Sequence, residues 1–210
     1  MNIAGVPKMH QDRAFLAAKK RRVGEPHVLP LNDLAGRIAE RTGRDVPQAD
    51  PDSGGIHSRI LFLHESPGPK SPDEHGSGLI SLDNNDPSAE RFWRLSRDAG
   101  LRRDIFINWN AVPWYVSATS KNTNSTDADG QAALPYLHEF VTLLPELRVV
   151  VAMGAFAQRW WFRYLTGIEG SRVQPLLGAP HTSSRARISR PDFEDAIETA
   201  MVKALQIAET

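Results

Sequence analysis

Three short apolar runs constrain the fold of this 210-residue chain more than any other feature. They span Arg59–Leu63, Asp104–Asn108 and Arg148–Met153, and each is followed by a turn and then by a stretch with helical spacing. Strands that alternate with helices predict βαβ units, in which helices cover both faces of a parallel sheet. We therefore expect an α/β protein, a three-layer α/β/α sandwich with a short central parallel sheet.

Start signals and apolar spacing locate the helices. Asp86-Pro87-Ser88 with Glu90 marks one helix start, and further helices are expected over residues 132–144, 156–165 and 192–208. Residues 12–22 and 31–41 have helical patterns as well, and the segment 50–55 has the composition of a linker. We predict an N-terminal helical extension over residues 1–55 and a second domain over residues 56–210.

Composition narrows the class of protein. The chain has no cysteine, which excludes disulfides, a thiolate nucleophile and a cysteine-ligated iron–sulfur or zinc site. No run approaches the roughly 18 apolar residues of a membrane span, and the N-terminus lacks the core of a signal peptide. We expect a monomeric cytoplasmic protein with no membrane partner.

Charge is balanced overall but unevenly distributed. The 25 basic and 25 acidic residues produce no net field that would attract nucleic acid. Basic side chains are nevertheless concentrated between Lys8 and Arg22 and again between Ser171 and Pro191. Two local basic segments favour a small footprint on a polyanion, and solvated surface charges are the alternative interpretation.

Two turns far apart in the chain predict the active site. His64-Glu65-Ser66-Pro67-Gly68 ends the first apolar run, and Pro180-His181-Thr182-Ser183-Ser184 follows more than a hundred residues later. A strand that stops in a Pro-Gly turn presents backbone N–H groups at the sheet end, where α/β folds bind ligands. We predict that the two turns face each other across one cleft.

Residues 58–205 resemble the uracil-DNA glycosylase superfamily. Glu65, Pro67 and Gly68 match its first motif, of the type Gly-Glu-Ala-Pro-Gly, although His64 replaces Gly and Ser66 replaces Ala, Asp or Asn. The segment from Ile107 to Val112 is similar to the second strand of that family. Pro135 to Leu137, Val149 to Ala157 and His181-Thr182-Ser183 resemble its helix, third strand and His-Pro-Ser loop. These matches, four when the helix and third strand are counted together, occur in order and are more specific than any single one.

The resemblance implies base flipping and cleavage of an N-glycosidic bond. His181 would donate a hydrogen bond to the O2 atom of a departing uracil anion. An amide side chain would pair with the uracil edge. Asn110 aligns with the Asn that reads the base in the family. Asn108 lies on the same face of the strand and remains the alternative for this role. Pro67 and Gly68 would form the turn against the base.

The sequence contains several candidates for the residue that positions the attacking water. Many relatives position the water with an Asp or Asn at the third residue of the first motif, where this chain has Ser66. Glu65 is the carboxylate within the turn. The other acidic candidates that we leave open are Asp73, Glu74 and Asp83.

Stacking and DNA contacts complete the predicted site. Leu79 or His75 would supply the apolar face for the base, with Trp109 or Trp114 as contributors from the second loop. The residues predicted to contact DNA follow the His turn; they are Ser183, Ser184, Arg185 and Arg187.

The function expected from these residues is hydrolysis of uracil from DNA, with an abasic site as product and without a metal or cofactor. Neither motif contains a lysine that would form a Schiff base, so coupled strand cleavage is not expected. Two alternatives stay open: a DNA-damage-binding member of the same fold with weak catalysis, and a small nucleoside hydrolase.

Overall fold

The computed structural model of the protein describes residues 5–68, 76–116, 124–171, 174–182 and 191–210. Six α-helices lie within these ranges: α1 Arg13–Lys20, α2 Leu29–Thr42, α3 Pro87–Asp98, α4 Asp127–Thr142, α5 Ala155–Gly167 and α6 Phe193–Glu209. The strands are β1 Gln48–Ala49, β2 Ile60–His64, β3 Leu79–Ile80, β4 Phe106–Asn110, β5 Val149–Met153 and β6 Leu176–Ala179. Short 3-10 helices span Met9–Gln11, Gly55–His57 and Arg103–Ile105.

The main sheet has four parallel strands in the order β4-β2-β5-β6. The chain first moves from β2 to β4 on one side and then returns to β5 on the other side of β2. Chain order therefore reverses at β2, and such reversals open a crevice at the carboxyl ends of the strands. A separate pair, β1 with β3, is also parallel.

Alternation along the strands builds one core on each face of the sheet. Leu61, Ile107 and Val150 pack with residues of α2, α4 and α5, whereas Phe62, Phe106 and Val151 pack with α3 and α6. Strands β2, β4 and β5 are buried on both faces, as expected for a parallel sheet. The predicted three-layer α/β/α arrangement is confirmed.

Strands β1, β3 and β6 and the start of helix α4 differ from the sequence expectation. Strand β6 was not predicted, because Leu176–Ala179 is short, partly exposed and interrupted by Gly178. Helix α4 begins at Asp127 rather than near residue 132, since Thr126 and Asp129 form a capping box in which each side chain accepts the other residue's backbone N–H.

The N-terminal residues pack against the remainder of the chain. Leu31, Leu34 and Ile38 of α2 are fully buried in the same core as β2, β4 and β5. The segment expected to be a linker is also packed, because a Cβ at Gly55 would lie 2.0 Å from the carbonyl oxygen of His27. The division at residue 55 stays a prediction. Within the described ranges, no helix is long and apolar enough to cross a membrane.

Candidate active site

A cavity of about 380 Å³ opens at the carboxyl end of the sheet. The first turn contributes His64, Ser66, Pro67 and Gly68 to its lining, and strand β4 contributes Asn108 and Asn110. His181 and Thr182 line it from the segment that follows β6. The structure therefore brings the two distant turns to one cavity.

Backbone hydrogen bonds fix the first turn to the end of β4. The N–H of Ala111 donates to the carbonyl of His64 at 2.8 Å, and the N–H of Val112 donates to that of Glu65 at 2.9 Å. These bonds continue the parallel pairing of β2 with β4, in which His64 lies opposite Asn110. These backbone hydrogen bonds therefore hold the first turn next to β4, the strand that carries Asn108 and Asn110.

The second turn is held by a glycine and an arginine. Gly154 follows β5 with a φ of +90°, and a Cβ at this position would lie 3.3 Å from the Cβ of His181. The guanidinium of Arg91 donates to the carbonyl of Thr182 and, through Nε, to Glu194 at 2.9 Å. Helices α3 and α6 thus hold the His181 turn against the sheet end.

The two asparagines lie on the same face of β4, as alternation predicts. Asn110 is only 4% exposed, and Oδ1 of Asn108 lies 2.9 Å from Nε2 of His64. Burial, together with the nearby His181, lowers the pKa of His64 to about 4, although the contact with Asn108 opposes this shift. His64 is therefore neutral at physiological pH.

The apolar side of the cavity differs from the prediction. Leu79 is fully buried in the β1–β3 pair and does not line the cavity. Ile80 and Leu82 line it instead, and Phe92 reaches it from α3. Phe92 contributes an aromatic ring from the first half of α3. His75 lies outside the described residues.

Both candidate tryptophans lie in the core. Trp109 is fully buried and stacks on Phe140 with a ring separation of 4.2 Å, and Trp114 is 2% exposed. Trp109 alternates with Asn108 and Asn110 and so faces the opposite side of the sheet. The expectation that these rings contribute to the base site is wrong.

The acidic candidates are distributed differently from the sequence expectation. Oε1 of Glu65 accepts the N–H of Ser125 at 2.9 Å, and Glu65 is not part of the cavity lining. Among the described residues, Asp86 is the only carboxylate that lines the cavity. Its Oδ1 caps α3 by accepting the N–H groups of Ser88 and Ala89, both at 2.9 Å. Sequence reasoning recognised this cap but not its place in the site.

Asp83 belongs to a buried cluster of charges, which we call the Lys19 network: Lys19, Asp50, Asp52, Asp83 and Arg103. Nζ of Lys19 lies 2.9 Å from carboxylate oxygens of Asp50 and Asp52 and also contacts Asp83. Nη2 of Arg103 donates to Oδ1 of Asp83 at 2.7 Å. Asp83 is therefore occupied by two cations and does not line the cavity.

The residues predicted to contact DNA stay a prediction. Ser183, Ser184, Arg185 and Arg187 lie outside the described residues, as do Asp73 and Glu74. Part of the N-terminal basic segment is engaged within the protein, since Lys19 is buried and Arg22 pairs with Glu25 and Asp52. Lys19 is therefore not available to a polyanion, and a polyanion contact by the rest of this segment stays a prediction. No group of three metal-ligating side chains occurs among the described residues.

Comparison with known families agrees with this geometry. The family model of the Uracil DNA glycosylase superfamily matches residues 51–205, which is most of the chain. The chain belongs to the uracil-DNA glycosylase superfamily. Membership supports a glycosylase-type DNA repair function and implies DNA as the substrate. Among curated proteins, no sequence matches the chain at a significant level.

Proposed function

We propose that the protein hydrolyses the N-glycosidic bond of uracil in DNA and leaves an abasic site. The observation that carries this proposal is the shared cavity of His181, Asn110 and the Pro67–Gly68 turn. An enzyme acting on a base in DNA must take that base out of the stack and enclose it. The cavity lies where the family's two motifs meet, which supports its use as the base site.

Each side of the cavity has a distinct chemical task. Phe92, Ile80 and Leu82 offer an apolar surface against which an extruded ring packs. Asn110 carries a carbonyl and an amino group that match the acceptor and donor on the uracil edge. His181 donates to the oxygen on which negative charge develops, and a donor of this kind contributes on the order of 3 kcal/mol to the transition state.

We assign the orientation of water to Asp86, with Ser66 as its neighbour on the lining. A carboxylate accepts hydrogen bonds from water, and its charge favours the oxocarbenium-like sugar of glycoside hydrolysis. Ser66 provides a hydroxyl but no charge. Asp86 thus replaces, from the start of α3, the acidic or amide group that many relatives carry within the first motif.

The direct test uses single-stranded and duplex oligonucleotides with one uracil, followed by alkaline cleavage. We expect strand breaks at the uracil position after alkali and none before it, because no lysine in either motif provides a Schiff base. Free deoxyuridine in a parallel reaction should remain intact. Hydrolysis of the nucleoside alone would favour the small-molecule alternative, and no product under excess enzyme would contradict excision.

A second candidate, binding of damaged DNA without turnover, is favoured by one observation. The first motif supplies no carboxylate to the cavity, because Ser66 is uncharged and Glu65 is bonded to Ser125. Retained affinity for uracil-containing DNA together with absent excision would support this candidate over hydrolysis.

A further inference from the structure

We propose that His64 is a positioning residue that fixes the side chain of Asn108 as a hydrogen-bond donor to a carbonyl oxygen of the bound base. This inference rests on the proposed function and concerns how the same cavity distinguishes bases. The observation behind it is the contact between His64 on β2 and Asn108 on the neighbouring strand β4.

The contact runs diagonally across the sheet. His64 on β2 lies opposite Asn110 on β4 in the register, whereas its Nε2 approaches Oδ1 of Asn108, two residues earlier. Diagonal neighbours of this kind are within reach of long side chains. The imidazole therefore engages Asn108 and leaves Asn110 on the cavity wall beside it.

Two aromatic contacts define the plane of the His64 ring. Phe92 meets it with ring centroids 5.6 Å apart, and His181 meets it at 6.0 Å with an interplanar angle of 84°. Both contacts are edge-to-face arrangements, which are favourable for such rings. Because α3 and the His181 turn restrain the ring from two sides, its Nε2 is directed at Asn108.

The protonation state of His64 then determines which group of Asn108 remains for a ligand. A neutral imidazole carries one N–H, and Oδ1 of Asn108 can only accept. The proton must lie on Nε2, which donates to Oδ1 at 2.9 Å. The Asn108 amino group is left for the cavity, which Asn108 lines.

A fixed amino group selects for an acceptor on the base. Uracil presents a carbonyl oxygen at each of two positions, whereas cytosine presents an amino donor at one of them. A site built to donate a hydrogen bond loses affinity for a ligand that lacks the acceptor, because the donor is then unpaired. His64 would thereby contribute to discrimination without touching the reacting atoms.

The test compares His64→Phe, which keeps the ring but removes the hydrogen bond, with His64→Gln, which keeps an N–H donor. Calorimetry would measure binding of free uracil, 2-pyrimidinone and 4-pyrimidinone, the last two each lacking one carbonyl. In the wild type, we expect one analogue to bind roughly tenfold more weakly than uracil, as for one lost hydrogen bond. His64→Phe should remove most of that preference, and His64→Gln should retain it.

A double-mutant cycle with Asn108→Ala gives an independent readout. If His64 acts through Asn108, His64→Phe should have little further effect on uracil affinity once Asn108 is removed. Additive losses, or unchanged base preference in His64→Phe with a normal melting temperature, would overturn the proposal. Absence of both uracil binding and excision in the wild type would instead overturn the proposed function, on which this role depends.

Discussion

Two polar regions lie on either side of the segment Leu79–Asn84, and they are organised in opposite ways. On one side, the side chains of Lys19 and Asp83 are each 2% exposed, and they are in direct contact with each other. On the other side, His64, Asn108, Asn110 and His181 surround an open cavity. The Lys19 network satisfies its charges internally, whereas the cavity presents polar groups to a ligand.

The segment Leu79–Asn84, which separates the two regions, is stabilised by its own hydrogen bonds. Ser81 donates to Asp50, and Nδ2 of Asn84 donates to the carbonyl of Leu79 at 3.0 Å. Those polar groups bond within the protein, while Ile80 and Leu82 provide the apolar lining. We therefore expect changes in the network to reduce stability and changes in the cavity to reduce activity.

The largest effect is expected from Asp83→Ala. This substitution leaves Lys19 and Arg103 buried with one fewer counter-charge, which typically costs about 3–5 kcal/mol of unfolding free energy. Urea denaturation would measure the loss. The matched control is Arg102→Ala, whose exposed pair with Asp104 contributes less than about 1 kcal/mol. Equal losses in the two variants would contradict the difference between buried and exposed pairs.

His181→Ala should have the next largest effect, now on the cavity side. Loss of the proposed donor should raise the barrier for excision by about 3 kcal/mol, a decrease of more than a hundredfold in single-turnover rate. Affinity for uracil-containing DNA should survive, because most contacts with DNA go to phosphates and sugars. A variant with near-normal turnover would remove His181 from the chemistry.

Asp86→Asn separates two roles of one residue. Asparagine caps a helix about as well as aspartate, so unfolding free energy should change by less than about 0.5 kcal/mol. Removal of the charge should nevertheless reduce the excision rate about a hundredfold, within the range known for acid–base groups. Asp12→Asn, at the cap of α1, is the control and should leave the rate unchanged. An unaltered rate in Asp86→Asn would show that Asp86 is only a cap.

The smallest expected effect is a difference between the two regions in the pH at which each loses its contribution to the unfolding free energy. His64 has a pKa of about 4 in the folded protein and 6.5 as its ordinary value, so the unfolded chain binds the additional proton between these limits. Stability is lost as the pH falls through this window, by about 2 kcal/mol at pH 5 for this group. Unfolding curves of the wild type and His64→Phe should diverge there.

The network should respond at lower pH. Burial opposes ionisation of Asp83, but hydrogen bonds and charge from Arg103 and Lys19 outweigh burial and lower its pKa below the usual 3.8. Its contribution is present above that value and is lost at more acidic pH.

Parallel unfolding curves for the wild type and His64→Phe between pH 7 and 5 would contradict the assignment of the earlier pH dependence to His64.

Local sequence patterns predicted much of this architecture. Two of the three apolar runs match their strands to within one residue, and the third, Asp104–Asn108, begins two residues before β4, because continuous apolar character is what burial on both sheet faces requires. The turns at Pro67–Gly68 and His181 were located by residue type. Helix caps were partly recognised, at Asp86 but not at Thr126.

Other features of the site depend on contacts that local patterns do not contain. Phe92 and Asp86 belong to a helix whose periodicity indicates only that it is amphipathic. Their position on the cavity follows from how α3 packs between the first turn and the His181 turn. Likewise, Leu79 and Ile80 have similar chemistry, and the pairing of β3 with β1 determines which of them is enclosed.

The sequence by itself determined the three central strands, the helices and the two turns, because these depend on neighbours along the chain, and the resemblance of its motifs indicated His181 and the asparagines of β4 as candidate donor and amide. Only the tertiary structure decided that Lys19 is buried rather than available to DNA, that Glu65 bonds to Ser125, and that His64 meets Asn108. These outcomes depend on burial and on distances between residues far apart in sequence, which the packing of complete layers sets.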